Sequence, residues 1–256
     1  MRALVTGAGG RLGAAMAVRL AQLGHDVAVH FASSDEGAAE TASAVEAAGC
    51  RAATLQADLL DVTACEALVG RARDALGGPV TVLVNNASIF EHDTIRSATR
   101  QSWDRHFGSN LRAPLILTQA FAAQAPAAAS DGEPLASGNI INMVDQRVRK
   151  LTPEFMTYTL AKAGLWTLTQ TTAQALAPAI RVNAIGPGPT LRGERQSAAH
   201  FAAQRAATVL GRGADVDDIT AALAYILGAK SVTGQLICVD GGQHLGWQTP
   251  DVQGIE

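Results

Sequence analysis

Arg2-Ala3-Leu4-Val5-Thr6-Gly7-Ala8-Gly9-Gly10-Arg11-Leu12-Gly13 decides the fold. Ala3-Leu4-Val5 is a short apolar run without alternation, which reads as a strand covered on both faces, as in a parallel sheet. The glycines that follow permit a tight turn and a close backbone approach. A helix then begins, with Leu12, Met16, Leu20 and Leu23 recurring every three to four residues. The free N–H groups at such a helix start attract a pyrophosphate. Glycine-rich turns between strand and helix are common, so the motif is weak alone and gains weight from its place in a βαβ unit. No Gly-Lys-Ser/Thr occurs anywhere, which excludes a P-loop.

Further strand-length apolar runs lie at 26–30, 51–56, 80–85, 138–144, 180–184 and 236–239, after the first at 2–6. Segments rich in Ala, Leu, Gln and Glu separate them, including 12–23 and 36–48. This alternation calls for right-handed βαβ crossovers and a doubly wound parallel sheet of about seven strands. A length of 256 residues fits one such α/β domain, 1–256, better than two small ones. Two stretches break the rhythm. Residues 122–138 read as a helix end and an exposed loop. Residues 189–212, with Arg192, Arg195 and Arg205, read as a mobile helical lid over the carboxyl ends of the strands; a plain surface excursion is the alternative.

Composition narrows the partners. The formal net charge is −3, from 20 basic and 23 acidic residues without a basic run of five, so no footprint for nucleic acid or an anionic membrane exists. A small-molecule partner is expected. Met1-Arg2 leads directly into strand sequence and nowhere are 18 apolar residues contiguous, which predicts a cytoplasmic protein without a membrane span. Cys50, Cys65 and Cys238 are odd in number and lack C-x-x-C spacing. They point to buried thiols rather than a disulfide framework or zinc site, and no metal is expected.

The cofactor side can be followed strand by strand. Gly7, Arg11 and Leu12 line the first turn. The second strand ends at His30-Phe31-Ala32-Ser33-Ser34, where an NAD site would place a carboxylate for the ribose 2′-hydroxyl. None occurs before Asp35. Ser33, Ser34 and Arg11 would instead welcome a 2′-phosphate, so NADPH is the predicted cofactor. The two serines also suit helix N-capping, and the roles are compatible. Asp58, followed by Leu59, stands where a short side chain beyond the third strand can bond adenine, while Asp61 caps the next helix. Asn85-Asn86-Ala87-Ser88-Ile89-Phe90 follows the fourth strand, with small polar residues that let the backbone pass the cofactor ribose; a simple turn is the alternative.

Asp145, Tyr158 and Lys162, with Asn110 upstream, form the chemical set. Tyr158 and Lys162 are four residues apart and share one helix face. A phenol titrates near about 10, and a neighbouring ammonium favours the phenolate, which moves Tyr158 towards acid/base work. A lone Tyr-x-x-x-Lys pair is more often an exposed helical pair. Its order after the glycine-rich turn and the Asn-Asn-Ala-Ser stretch favours function.

Thr6-Gly7 through Gly13, Asn85-Asn86-Ala87, Asn110, Tyr158-x-x-x-Lys162, Pro187-Gly188 and Asp240-Gly241-Gly242 together resemble the short-chain dehydrogenase/reductase family over nearly the whole chain. The resemblance implies a single Rossmann-type domain, with Tyr158 as proton donor, Lys162 on the nicotinamide ribose and Asn110 ordering a relay water. Pro187, Gly188 and Thr190 would flank the cofactor, and Asp240-Gly241-Gly242 would be a structural turn. A homo-tetramer is implied by the same analogy.

Two departures from the family pattern matter. Arg11 stands where the pattern has its middle glycine, and Asp145 where a serine is usual. A serine donates to a substrate carbonyl, whereas a carboxylate would repel a developing oxyanion. Both departures, with Ser88-x-Phe90, look like the pteridine reductase branch, which includes dihydromonapterin reductases. That likeness implies a pterin stacked between Phe90 and the nicotinamide, Arg11 and Ser88 at its polar edge, and Asp145 working with Tyr158. Alone, Phe90 would be read as a loop or core aromatic. Two other readings remain: a general carbonyl reductase such as a 3-oxoacyl-carrier-protein reductase, and a non-catalytic dinucleotide sensor, against which intact Asn110, Tyr158 and Lys162 argue.

Overall fold

The apolar runs of the central strands are buried because helices cover both faces of the sheet. In β1 (Arg2–Val5), Ala3 and Val5 pack into one helical layer while Leu4 packs into the other. The structure, a computed structural model, describes residues 1–193 and 196–248. After β1 come α1 (Arg11–Gln22), β2 (Asp26–Phe31), α2 (Asp35–Ala47), β3 (Ala52–Gln56), α3 (Val62–Leu76), β4 (Val82–Asn85) and α4 (Arg100–Phe107). The second half holds α5 (Ala113–Gln124), β5 (Ala129–Ser130), β6 (Pro134–Leu135), β7 (Gly138–Met143), α6 (Met156–Ala175), β8 (Ile180–Pro187), α7 (Ala198–Ala206), α8 (Val216–Gly228) and β9 (Leu236–Val239).

Seven strands form one parallel sheet in the order β3-β2-β1-β4-β7-β8-β9. The expected doubly wound architecture is therefore present. One face is covered by Met16 and Leu20 of α1, Val45 of α2 and Ile219 and Leu223 of α8. The other is covered by Leu68 and Leu76 of α3 and Leu117 and Phe121 of α5. Burying each such leucine contributes roughly 1.5–3 kcal/mol. Strand order reverses between β1 and β4, and the crevice at their carboxyl ends is where α/β sheets bind ligands.

Local signals set several boundaries. Asp61 caps α3 by accepting from the Thr63 and Ala64 N–H groups at 2.8 and 3.2 Å, as the sequence predicts. Gly77 ends the same helix in the left-handed region, φ 73°. Between α4 and α5 one turn of π-helix, Gly108–Arg112, carries Asn110.

The structure differs from the sequence reading in two places. The run expected at 180–184 extends through Pro187 as β8, which carries Pro187 to the crevice. Residues 122–138 are not only loop: β5 and β6 pair as a small antiparallel hairpin. The segment 189–212, read from the sequence as helical, does contain a helix, α7, capped by the Ser197 hydroxyl accepting from the His200 N–H. Arg195 lies outside the described residues. No described helix is long and apolar enough to cross a membrane, and among the described residues no group of three His, Cys, Asp or Glu could hold a metal ion.

Candidate active site

A cleft of about 1520 Å³ opens above the carboxyl ends of β1, β2, β4, β7 and β8. Its first wall is the glycine-rich turn. Gly7 sits at φ 63°, and a Cβ there would press on the Ala87 Cα at 2.9 Å; one on Gly13 would overlap the Gly7 carbonyl oxygen at 2.1 Å. These two glycines thus let the turn, α1 and the 85–90 loop close on each other. Thr6 and Asn86 tie the same junction. The Thr6 hydroxyl accepts from the Asn86 and Ala87 N–H groups at 2.9 and 3.0 Å, and the Asn86 amide donates to the Thr6 and Gly7 carbonyls at 2.9 and 3.1 Å.

The predicted cofactor residues divide into those that face the cleft and those that shape it. His30 is buried, its Nδ1 accepting from the Gly7 N–H at 3.0 Å and its Nε2 lying 3.1 Å from the Ala57 carbonyl oxygen. Both ring nitrogens are engaged with backbone, so His30 braces the turn from behind. Burial holds its pKa down to about 4, which keeps it neutral. Ser33 and Ser34 lie on the rim beside β2. Ser34 occupies the N-cap position of α2 without making a cap bond; its hydroxyl donates to the Gly9 carbonyl at 3.0 Å. Asp58 accepts from the Leu60 N–H at 2.9 Å, and Leu59 packs inward as a buried residue.

Arg11 adopts φ 52°, a left-handed conformation that fits the glycine it replaces. Its guanidinium crosses the cleft and donates to the Leu191 and Arg192 carbonyls at 3.3 and 3.2 Å. Pro187, Gly188 and Thr190 form the facing edge, where the Thr190 hydroxyl donates to the Gly188 carbonyl at 3.2 Å. His200, Phe201 and Gln204 of α7 look into the cleft from above. Arg205 anchors that helix by donating to the Pro189 and Ala214 carbonyls and pairing with Asp215.

The residues present fit a dinucleotide. Gly10 caps α1 without a side-chain bond, no acidic residue occupies the first turn, and a Cβ on Gly10 would meet open space. Helix N–H groups therefore face an open cradle, as a phosphate requires. Deeper in, the buried Gln146 Oε1 has no partner on the cleft wall.

The catalytic candidates converge on that wall. Tyr158 is 6% exposed, and its hydroxyl donates to Asp145 Oδ2 at 2.9 Å. The other carboxylate oxygen accepts from the Arg147 N–H at 2.8 Å. Asp145 thus serves the tyrosine and caps the turn Gln146–Val148 at once. Lys162 is buried, with Nζ donating to the Met143 carbonyl at 2.6 Å and standing 5.7 Å from the Tyr158 ring centroid. Burial lowers its pKa to about 8 against the pull of Asp145. Asn110 is fully buried, accepting from the Ile89 N–H at 2.9 Å and donating to the Ile89 carbonyl at 2.8 Å. It clamps the loop that bears Ser88 and Phe90.

The expected phenolate needs correction. Burial, and then the Asp145 carboxylate, hold the Tyr158 hydroxyl well above its ordinary pKa, with Arg147 and Ser88 pulling the other way. Tyr158 is therefore a stored proton beside a carboxylate.

Several site residues carried no motif in the sequence. Phe155, at φ 58°, lays its ring flat on Phe90 with centroids 4.3 Å apart and planes 7° off parallel. Arg147 stands 5.1 Å above the Phe155 ring, and His92 pairs with Glu154 at its edge. Phe90 is 45% exposed and meets Tyr158 edge-on at 4.6 Å. Aromatic surface, tyrosine hydroxyl and carboxylate thus share one corner of the cleft. The position of Phe155, three residues ahead of Tyr158, was the one available signal.

Residues 1–203 match the short chain dehydrogenase family, and the chain belongs to it. It is similar to FolM alternative dihydrofolate reductase 1 from Brucella canis complexed with NADP: 41% identity, TM-score 0.90, 98% of this chain and 96% of that one. It is also similar to 3beta-hydroxysteroid dehydrogenase 1 of Eggerthella lenta, 36% identical over 251 residues, 94% of this chain and 93% of the other. The 3-oxoacyl-[acyl-carrier-protein] reductase FabG of Staphylococcus aureus is 30% identical over 248 residues, 95% of this chain and 98% of its own. Those names span unlike substrates, so the substrate must be argued from the site's own residues.

Proposed function

We propose that the protein is an NADPH-dependent reductase of a pterin-type C=N bond, in a dihydropterin or a dihydrofolate-like substrate, with Tyr158 as proton donor. The observation that carries the reading is the Tyr158 hydroxyl held by Asp145 at 2.9 Å beside the exposed ring of Phe90. When bound, the cofactor supplies the hydride. Ring nitrogen gains a proton and passes through a cationic state, which a carboxylate stabilises; a ketone develops negative charge, which the same carboxylate opposes. Tyr158 gives its proton to the ring nitrogen, and Asp145 balances the charge and returns a proton from solvent. Phe90 offers a stacking face, Ser88 and Arg11 the polar edge, Lys162 a cation towards the cofactor ribose, and the segment 189–212 a cover. A homo-tetramer is part of the same reading and rests on the family resemblance.

The full-length similarity to FabG supports a carbonyl reductase as the second reading. A thermal-shift screen of dihydropterins, dihydrofolate and acyl ketones, each with NADPH, separates the two. Stabilisation by the pterins alone is expected, and stabilisation by acyl ketones alone would overturn the pterin assignment.

Two cofactor predictions accompany this. No carboxylate follows β2 before Asp35, so NADPH should bind about tenfold or more tightly than NADH in separate titrations; equal or tighter NADH binding would refute the preference. The Lys162 ammonium is present below its pKa of about 8 and lost above it. NADPH affinity should therefore weaken as pH rises through that region. Lys162→Met should bind more weakly and without that pH dependence, and an unchanged dependence in the variant would assign it to another group.

A further inference from the structure

Behind the catalytic wall runs a buried polar chain that touches neither cleft nor cofactor cradle. Asp93 is 3% exposed, His106 0% and Thr157 3%. They come from the loop after β4, from α4 and from the first turn of α6. The Thr157 hydroxyl donates to Asp93 Oδ2 at 2.5 Å, and the Thr157 N–H donates to Asp93 Oδ1 at 3.1 Å. The same hydroxyl lies 2.7 Å from His106 Nδ1, and the Glu91 N–H donates to His106 Nε2 at 3.1 Å.

One proton arrangement satisfies every member. Nε2 keeps its lone pair for the Glu91 N–H, so Nδ1 carries the proton and donates to the Thr157 oxygen, whose own proton goes to Asp93. Asp93 fixes the direction because an ionised carboxylate only accepts. Burial would raise its pKa, but the Thr157 bonds, with the Ser102 hydroxyl and the nearby His106, outweigh it and keep it below the ordinary value. Burial lowers His106, against the carboxylates of Asp93 and Glu91.

Two members of this chain adjoin the two substrate-facing aromatics. Glu91 follows Phe90, and Thr157 precedes Tyr158. The Asp93 carbonyl also accepts from the Met156 N–H at 3.2 Å, which fastens the loop to the start of α6. The His106 ring meets Tyr158 edge-on at 6.0 Å, completing the contact from behind.

We propose that Asp93, Thr157 and His106 are positioning residues that set the separation and angle of Phe90 and Tyr158, and thereby the alignment of a flat substrate ring with its proton donor. The inference rests on Tyr158 as donor but not on which ring is reduced.

The test uses the NADPH-loaded full chain and whichever dihydropterin or keto substrate turns over fastest. Thr157→Val keeps the shape and removes the hydroxyl. It should lower kcat about tenfold to a hundredfold, as misplacement of a reacting group does, with NADPH Kd changed by less than about twofold. Thr157→Ser should restore kcat to within about threefold. If Thr157→Val does not fold, Asp93→Asn serves, because its amide turns a donor on the Thr157 hydroxyl and breaks the proton order. The chain contains two tyrosines, so labelled-tyrosine NMR of the free protein gives a readout apart from turnover. The Tyr158 signal should move in Thr157→Val and Asp93→Asn and not in Thr157→Ser. Wild-type kcat and an unmoved Tyr158 signal in both variants would overturn the proposal. So would kcat, NADPH affinity and melting temperature falling together, which marks general loosening. Retained activity in Tyr158→Phe would instead defeat the donor assignment.

Discussion

Replacing Tyr158 by phenylalanine should lower turnover by about two to four decades, the usual contribution of a general acid, while NADPH binds nearly as before. The ring stays, so its edge contact with Phe90 and its burial are kept. Only the hydroxyl donated to Asp145 is lost. Asp145 Oδ2 then loses its partner, although its other oxygen still accepts from the Arg147 N–H, so any loss of stability should be small beside the loss of rate. Steady-state turnover with a parallel NADPH titration decides it, and a variant keeping more than about a tenth of wild-type activity would remove Tyr158 from the donor role.

Asp145→Ser should invert the substrate preference. Serine still accepts from the Arg147 N–H in place of Oδ1, so the turn Gln146–Val148 keeps a cap. It also offers a neutral donor to a carbonyl oxygen, which suits ketone reduction. It cannot balance a cationic ring nitrogen or hold a second proton. Dihydropterin turnover should fall about a hundredfold or more, with activity on simple activated ketones retained or gained. With the carboxylate gone, the negative charge that helps to raise the Tyr158 pKa is removed, so the tyrosine should titrate lower in the variant. If Asp145 acts only as a cap, both substrate classes should weaken alike and the melting temperature should drop. Unchanged dihydropterin turnover in a folded variant would return the reading to a carbonyl reductase.

The sheet was legible because its signals are local. Runs such as Ala3-Leu4-Val5 announce strands buried on both faces, and glycines or Asp61 mark where helices start and stop. The hairpin of β5 and β6 escaped, since two-residue strands leave no period to read. The extension of β8 to Pro187 escaped because Gly186 and Pro187 look like loop residues, yet the parallel pairing with β9 carries them into the sheet.

At the site, legibility followed sequence distance. Tyr158 and Lys162 are one helical turn apart and declared their shared face, but Lys162's partner, the Met143 carbonyl, lies across the fold. Arg11 was visible as a non-glycine in a glycine motif, whereas its bonds to Leu191 and Arg192 were not. The phenolate expectation failed for a related reason. Deep burial and a carboxylate acceptor outweigh a nearby ammonium, and neither burial nor the Asp145 bond is a property of the local sequence. Asp93, Thr157 and His106 are ordinary residues until three segments bring them together.

The most direct measurement is the wild-type ratio of kcat/KM for a dihydropterin to that for a 3-oxoacyl thioester, both with NADPH and with the tetrahydropterin product identified. A ratio well above one, about a hundredfold or more, is the result that Asp145 beside Tyr158 and Phe90 requires; efficient thioester reduction without tetrahydropterin formation would refute it.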